Sequence, residues 1–389
     1  MHFYLPPIQD IPQFTPLFEV RTRFERRADR DFLESAPDFR KDNFLRARAG
    51  FDWKFDEKTT ARFQYQFSFD QFHTPTGIGR PHYEDVLLAN LEHKSGDAVV
   101  TVGRQRLILG DERLIGALEW GNFGRTYDVL RVKNKSWDFF AGKLGVNYPR
   151  AKDVRLGAVS YTGTLGTTSL IYKHDEPAAG DTDHFTLDHI WKRSSGAWGY
   201  EFEGAYQFGD FAGLDHQAWA LHGAASYKVD SKLRWIFEVN AASGGSTPGK
   251  SRTFDNLYPT NHKFYGIMDM FAWMNMTEIA LIAEVKANSK LDFKASARSF
   301  ALQNSKDAWY GAGGAPNRRV GGGIFRDVTG AAGREVGLEF DLDATLRPDK
   351  YSTVQAGIAT FLPGPFVESF YGDSADAQVW YYLMVNWKW

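Results

Sequence analysis

The chain has 389 residues, with 46 Lys+Arg against 48 Asp+Glu and a formal net charge of -2. Charges this evenly matched exclude a dominant electrostatic footprint for nucleic acid, and an apolar content of 43% excludes a disordered chain. There is no cysteine, hence no disulfide, no thiolate metal site and no cysteine nucleophile.

The opening MHFYLPPIQD lacks the basic n-region and apolar h-region of a signal peptide. No stretch reaches the roughly 18 consecutive apolar residues of a membrane-crossing helix. The best run, IALIAEV (279–285), is broken by Glu284. A membrane β-barrel stays open, because its strands need only alternate.

Alternation is the dominant pattern from the first strands onward. Leu45, Ala47, Ala49, Phe51, Trp53 and Phe55 alternate with Arg46, Arg48, Asp52 and Lys54. Phe63, Tyr65, Phe67 and Phe69 alternate with Arg62, Gln64, Gln66, Ser68 and Asp70. The same rhythm returns over 197–208, 291–299 and 334–346. Each segment spans about nine to thirteen residues, the length of a tilted membrane-crossing strand. Soluble antiparallel sheets also alternate. Here, however, the apolar faces are rich in aromatics, with Trp or Tyr near strand ends, and the polar faces are densely charged.

Connections alternate between short and long. Short turns are expected at DEKT (56–59), HKSGD (93–97), KNKS (133–136), GTLGT (163–167), KRSSG (192–196), VDSK (229–232), ANSK (287–290) and RPDK (347–350). Long loops are expected near 28–40, 71–82, 106–125, 147–152, 175–182, 209–215, 244–273, 304–332 and 362–377. Together they predict an all-β, transmembrane, up-and-down antiparallel barrel of about 18 strands, with both termini on the short-turn side and a water-filled bore. The final strand, 379–389, ends on aromatic Trp389 and resembles the C-terminal assembly signature of bacterial outer-membrane barrels. No linker interrupts the rhythm, so residues 1–389 read as a single outer-membrane β-barrel domain. Its extracellular loops near 104–125, 244–273 and 304–332 are expected to fold inward. The Gly-rich tract at 311–323 falls in one of them and carries no phosphate-binding pattern.

Parity places Arg21, Arg23, Arg46, Arg48, Arg62, Arg131, Arg234 and Arg298 on the bore wall, with Arg104 assigned there too. Arginine offers a planar, permanently charged fork that matches carboxylates. A row of them could hand a polyanion from site to site; equally, each could pair with a wall acid such as Glu19, Glu203 or Glu339. Glu339, Asp341 and Asp343 share one face and could bind Ca²⁺ or oppose the basic wall. No zinc motif or GxSxG nucleophile occurs, so neither metal, cofactor nor enzymatic activity is expected. Adjacent Asp188 and His189 are a misfit, since one of them should face lipid; either that strand lies near the rim or the register slips there.

Two segments, GRQRLILGDERLIGALEWGNFGRTYD (103–128) and FDNLYPTNHKFYGIMDMF (254–271), resemble signature segments of the alginate-export family of outer-membrane porins. FEVRTRFERR (18–27), FLRARAGFDW (44–53) and GLEFDLDATLRPDKYSTVQAGIATFLPG (337–364) resemble its opening strands and closing hairpin. The resemblance implies a bacterial outer-membrane barrel of eighteen strands that exports a uronate polysaccharide through an arginine-rich constriction narrowed by loops. Arg46, Arg48, Arg104, Arg106, Arg113 and Arg125 lie within or beside matching segments. Asp111 and Glu112 are expected either to pin their loop by salt bridges or to line the constriction. The aromatics of 258–269, with Asn256 and Asn261, suggest an ordered loop folded on or into the bore. The connection RPDK departs from the family's long periplasmic plug turn. The expected function is passive passage or export of an anionic, alginate-like polysaccharide or oligosaccharide. A porin for small organic acids or sugars, or a structural barrel that docks partner proteins, is the alternative. Expected partners are that glycan or a small hydrophilic solute, outer-membrane lipids and periplasmic export proteins, with no nucleic acid.

Overall fold

Five of the short turns close by the same device. Asp56 Oδ1 accepts the backbone N–H groups of Lys58 and Thr59, both at 2.7 Å. Asn134, Asp230, Asn288 and Asp349 repeat this two- and three-residue reach. Such side-chain acceptors stand in for a backbone turn. Two others use glycine in the left-handed region, Gly96 at φ 61° and Gly196 at φ 60°.

The strands between these turns are those of a computed structural model that describes residues 13–28, 32–33, 39–145, 153–176, 180–319, 322–372 and 375–389. They are β1 (Gln13–Ala28), β2 (Arg40–Lys54), β3 (Thr59–Thr74), β4 (His82–Ser95), β5 (Ala98–Gln105), β6 (Tyr127–Lys133), β7 (Trp137–Leu144), β8 (Arg155–Gly163) and β9 (Gly166–Asp175). There follow β10 (Thr182–Ser195), β11 (Trp198–Phe211), β12 (Leu214–Lys228), β13 (Leu233–Ala242), β14 (Met276–Lys286), β15 (Leu291–Ala301), β16 (Glu335–Leu346), β17 (Ser352–Pro363) and β18 (Gln378–Lys388). A short helix, α1 (Pro365–Tyr371), lies between the last two. The loop expected at 147–152 falls outside the described residues.

Every strand pairs antiparallel with its sequence neighbour. β18 returns to β1, with Val20 opposite Trp387 and Ala28 opposite Val379. The result is a closed 18-strand barrel with no free edge. Trp389 finishes the seam by exchanging backbone hydrogen bonds with Phe18.

Facing follows the alternation. On β1, Phe18 is 49% exposed and its neighbour Glu19 is 5% exposed. The apolar side chains therefore point out toward lipid, and the polar ones point in. Near the short turns the outer face carries paired rings, Trp137 with Tyr161 at 4.8 Å and Trp198 with Tyr227 at 4.9 Å, as an interfacial girdle requires. His189 is the one outward of the misfit pair. Its Nδ1 lies 2.9 Å from Thr168 Oγ1 on the neighbouring strand, while Asp188 is buried inside.

One feature of the interior differs from the wet bore expected from the pattern. At the long-loop end, loop residues Phe32, Phe271, Trp309, Phe325 and Phe366 form an apolar cluster with inward-facing Phe300 and Phe361. Phe271 stacks on Phe300 with ring centroids 3.9 Å apart. The aromatic content thus serves two surfaces, and strand parity reveals only the outer one.

Candidate functional site

β1 and β2 set the geometry. Their register places Arg21 opposite Arg46 and Glu19 opposite Arg48, all on the inward face. Two guanidiniums facing each other repel, so each needs acceptors. These come from the tip of the loop between β5 and β6. Arg21 donates to the carbonyl oxygens of Glu119 (2.7 Å) and Gly121 (2.8 Å). Arg46 donates to the same two carbonyls at 3.0 and 3.1 Å, and also to the Glu19 carboxylate. Arg23 donates to the Trp120 carbonyl at 2.5 Å and lies 4.1 Å from the Trp120 ring centroid.

The carboxylate of Glu119 completes the tip. It receives Arg48 at 2.7 Å and Arg106 at 2.6 Å. Burial alone would raise this carboxyl, but Arg48, Arg106 and Arg46 outweigh it and hold it well below the usual carboxylate range. Its side chain is still 40% exposed. Arg21, Arg23, Arg46, Arg48 and Arg106 therefore converge on residues 119–122, four positions of one loop.

The other arginines singled out by sequence lie elsewhere. Arg113 ends the same loop's opposite flank. It bridges Glu203 of β11 at 3.0 Å, contacts Asn240 of β13 and Tyr265, and lies over the Phe264 ring. Arg125 donates to the Pro259 carbonyl at 2.9 Å. Arg104 bridges Asp85 and Asp128 on neighbouring strands, and Arg131 bridges Asp138. Arg62 makes a two-pronged pair with Asp52 near the short turns. Arg298 is bound by Glu278 and by Asp341, the latter at 3.3 Å. Each of these is an arginine–acid or arginine–carbonyl clamp.

Asp111 and Glu112 differ from one another. Asp111 pairs with Lys192 of β10. Glu112 turns into the second loop, accepting the Thr260 hydroxyl at 2.7 Å and Lys263 at 2.8 Å. The two loops run parallel there. Tyr258 N–H donates to the Leu114 carbonyl at 2.9 Å and Gly116 N–H to the Tyr258 carbonyl at 2.8 Å. Gly116 is required by this approach, since a Cβ there would lie 2.4 Å from Thr260 Oγ1.

The second loop is itself tied to the wall. Asp255 receives Lys173 at 2.7 Å and His184 at 2.9 Å, and its backbone exchanges hydrogen bonds with the Gln207 side chain. Burial would raise the Asp255 carboxyl, but Lys173 and His184 hold it far below its ordinary value. Gly266 packs against Glu339, whose Oε1 accepts Met268 N–H at 3.0 Å. Asp341 is held by Ser296 and Arg298, and Asp343 by Tyr382. The acids considered for Ca²⁺ are thus each engaged by protein donors. Among the described residues no cluster of His, Asp and Glu is arranged to hold a metal.

Sequence reasoning passed over Glu119, Trp120, Asn122, Asp255 and Tyr265. All lie in quoted loop segments. The available signal was the run Glu119-Trp120-Gly121-Asn122, a cluster of acceptors around a flexible glycine, flanked by arginines on both sides.

A closed barrel with an apolar belt, short turns at one end and long loops at the other is an outer-membrane porin. Across residues 145–381, more than half its length, the chain matches the family described as alginate export, and it belongs to that family. The signature segment 103–128 lies outside the matched range. No curated protein matches it. Among solved structures, Pseudomonas aeruginosa OccK5 (OpdH) superposes with a TM-score of 0.63 at 11% identity, covering 96% of this chain and 97% of that one. The outer membrane protein OprD of the same organism gives 0.61 at 12%, covering 97% and 94%. P. aeruginosa OpdK, crystallised with vanillate, gives 0.62 at 11%, covering 97% and 98%. At these identities the likeness is one of fold.

Proposed function

We propose that this porin passes an anionic saccharide, a uronate polymer or its fragments, along an arginine-lined bore. The observation that carries the reading is the Arg21–Arg46 pair with Arg23, Arg48 and Arg106 around it. Arg21 has no ion-pair partner among the described residues, and its fork is filled by carbonyl oxygens alone. Those oxygens and the Glu119 carboxylate occupy positions that suit a uronate carboxylate. In this reading the tip at 119–122 is a constriction, and passage exchanges loop oxygens for those of the glycan. Transit needs binding strong enough to enter and weak enough to leave, which competition with the loop provides.

A second reading, passage of small organic acids, is favoured by the backbone pairing of the two loops. If they stay joined at Ile115 and Tyr258, a small solute fits the remaining space better than a polymer does. Planar-bilayer conductance separates the two. Polyuronate that blocks the current, with the block weakened by Arg48→Ala plus Arg106→Ala, supports the first. Block by small carboxylates and none by polyuronate selects the second. Absence of any conductance removes both.

A further inference from the structure

On the outer wall, at the long-loop end, β11 and β12 leave a groove of about 510 Å³ under the loops that follow β13 and β15. Its floor is Tyr206 and Trp219. Tyr206 sits between buried Ala205 and Gln207, and Trp219 between buried Ala218 and Ala220, so both rings point outward. Its upper rim is Arg252 and Arg334. Arg252 Nη1 donates to Gln217 at 2.9 Å; Arg334 Nε donates to the Leu302 carbonyl at 2.6 Å, and its Nη2 reaches Gln303 at 3.3 Å. No carboxylate pairs with either guanidinium among the described residues, and no acid lines the groove. This contrasts with the inner wall, where arginine after arginine meets an acid.

Two arginines without counter-charge above an outward aromatic floor match one surrounding chemistry. In an outer-membrane barrel the long loops face the cell exterior. The groove therefore sits where the phosphorylated headgroups of the outer leaflet meet the start of the acyl layer. Guanidinium forks bind phosphate bidentately, and Tyr and Trp favour that interface. We propose that the groove bounded by Arg252, Arg334, Tyr206 and Trp219 is a binding site for the phosphorylated headgroup of an outer-leaflet lipid. The arginines hold the phosphate and the rings pack on the glycan base and first methylenes. The site is separate from the solute path, because it lies on the opposite face of the wall.

The test is native mass spectrometry of the purified full chain in detergent with bisphosphorylated lipid A or with the same lipid dephosphorylated. The phosphorylated lipid should remain bound and the dephosphorylated one should not. Arg252→Gln with Arg334→Gln should lower retention by about tenfold or more, while Arg334→Lys retains most of it. Heat-modifiable electrophoretic mobility and unchanged bilayer conductance report that the double variant is folded. The wild-type comparison of the two lipids stands even where that variant does not fold. Equal retention of both lipids, or undiminished retention by the folded double variant, overturns the proposal. Complete displacement by equimolar inorganic phosphate assigns the site to the free ion, and preferential capture of short polyuronates assigns it to a glycan; either result sinks the lipid assignment.

Discussion

Trp120 and His262 lie face to face, with ring centroids 3.6 Å apart and planes 7° from parallel. They belong to different loops, and His262 Nδ1 is fixed by Asp269 at 2.9 Å. Trp120 also stands edge-on to Tyr382 of β18. The ring of Trp120 thus joins the first loop's tip to the second loop and to the seam strand. An aromatic contact of this kind contributes about 0.5–1.5 kcal/mol beyond its buried area. Trp120→Ala should accelerate amide exchange at residues 258–264 by several-fold, with the strands unaffected. Unchanged exchange would show that the second loop stands without the first.

Glu119 holds the tip through charge, and its pH response follows from the sign of its shift. A depressed carboxyl contributes stability that is present above its unfolded value and lost as pH falls through the depressed folded value. Single-channel conductance should therefore stay level from about pH 7 to about pH 4, where an unperturbed glutamate is already more than half protonated. At neutral pH, Glu119→Gln should free Arg106 from its counter-charge and leave Arg48 with Glu19 alone. Reversal potentials across a salt gradient should then move toward anion selectivity. A wild-type conductance change near pH 4–5, the range of an ordinary glutamate, would contradict the clamp.

Two ion pairs on the barrel wall make a controlled comparison. Arg298 and Glu278 have side chains only 2% and 0% exposed, whereas Arg234 and Glu284 are 41% and 36% exposed. Glu278→Ala leaves a buried guanidinium without its main partner and should cost about 3–5 kcal/mol in denaturant unfolding from lipid vesicles. Glu284→Ala should cost about 1 kcal/mol or less. Equal losses would mean that the inner wall is wetter than its packing indicates.

The two faces of β3 should respond differently to substitution. Phe67 is lipid-facing, so Phe67→Arg near the bilayer midplane should cost about 2–4 kcal/mol in the same unfolding measurement. Gln64 points inward, and Gln64→Ser should cost about 1 kcal/mol. Equal penalties would reverse the facing of the strand.

The barrel was legible because its determinants are local. A period-two pattern needs only neighbouring residues, and an Asp or Asn that closes a turn reaches only two or three positions along the chain. Inward facing of Arg21, Arg23, Arg46, Arg48 and Arg298 could be read from that same parity. The partners could not. Arg21 meets Glu119 across 98 positions, and Arg113 meets Tyr265 across 152. No pattern in one chain encodes which acceptor a given guanidinium reaches across a closed cylinder. The apolar cluster around Phe271 and Trp309 escaped for a related reason. Apart from Phe300 and Phe361, its members come from connections without periodicity, so their burial is decided by tertiary packing alone.

The backbone tie between Leu114 and Tyr258 also dictates an order of events during biogenesis. The two loops spring from hairpins separated by β6 to β13, and neither can find the other until those strands have curled into an arc. A nascent sheet of β1 to β6 can already hold the first loop through Arg21 and Arg46, whereas the join to the second loop must wait for the later strands. The join between the two loops is a late acquisition of the inserted protein, not a feature carried in by any single hairpin.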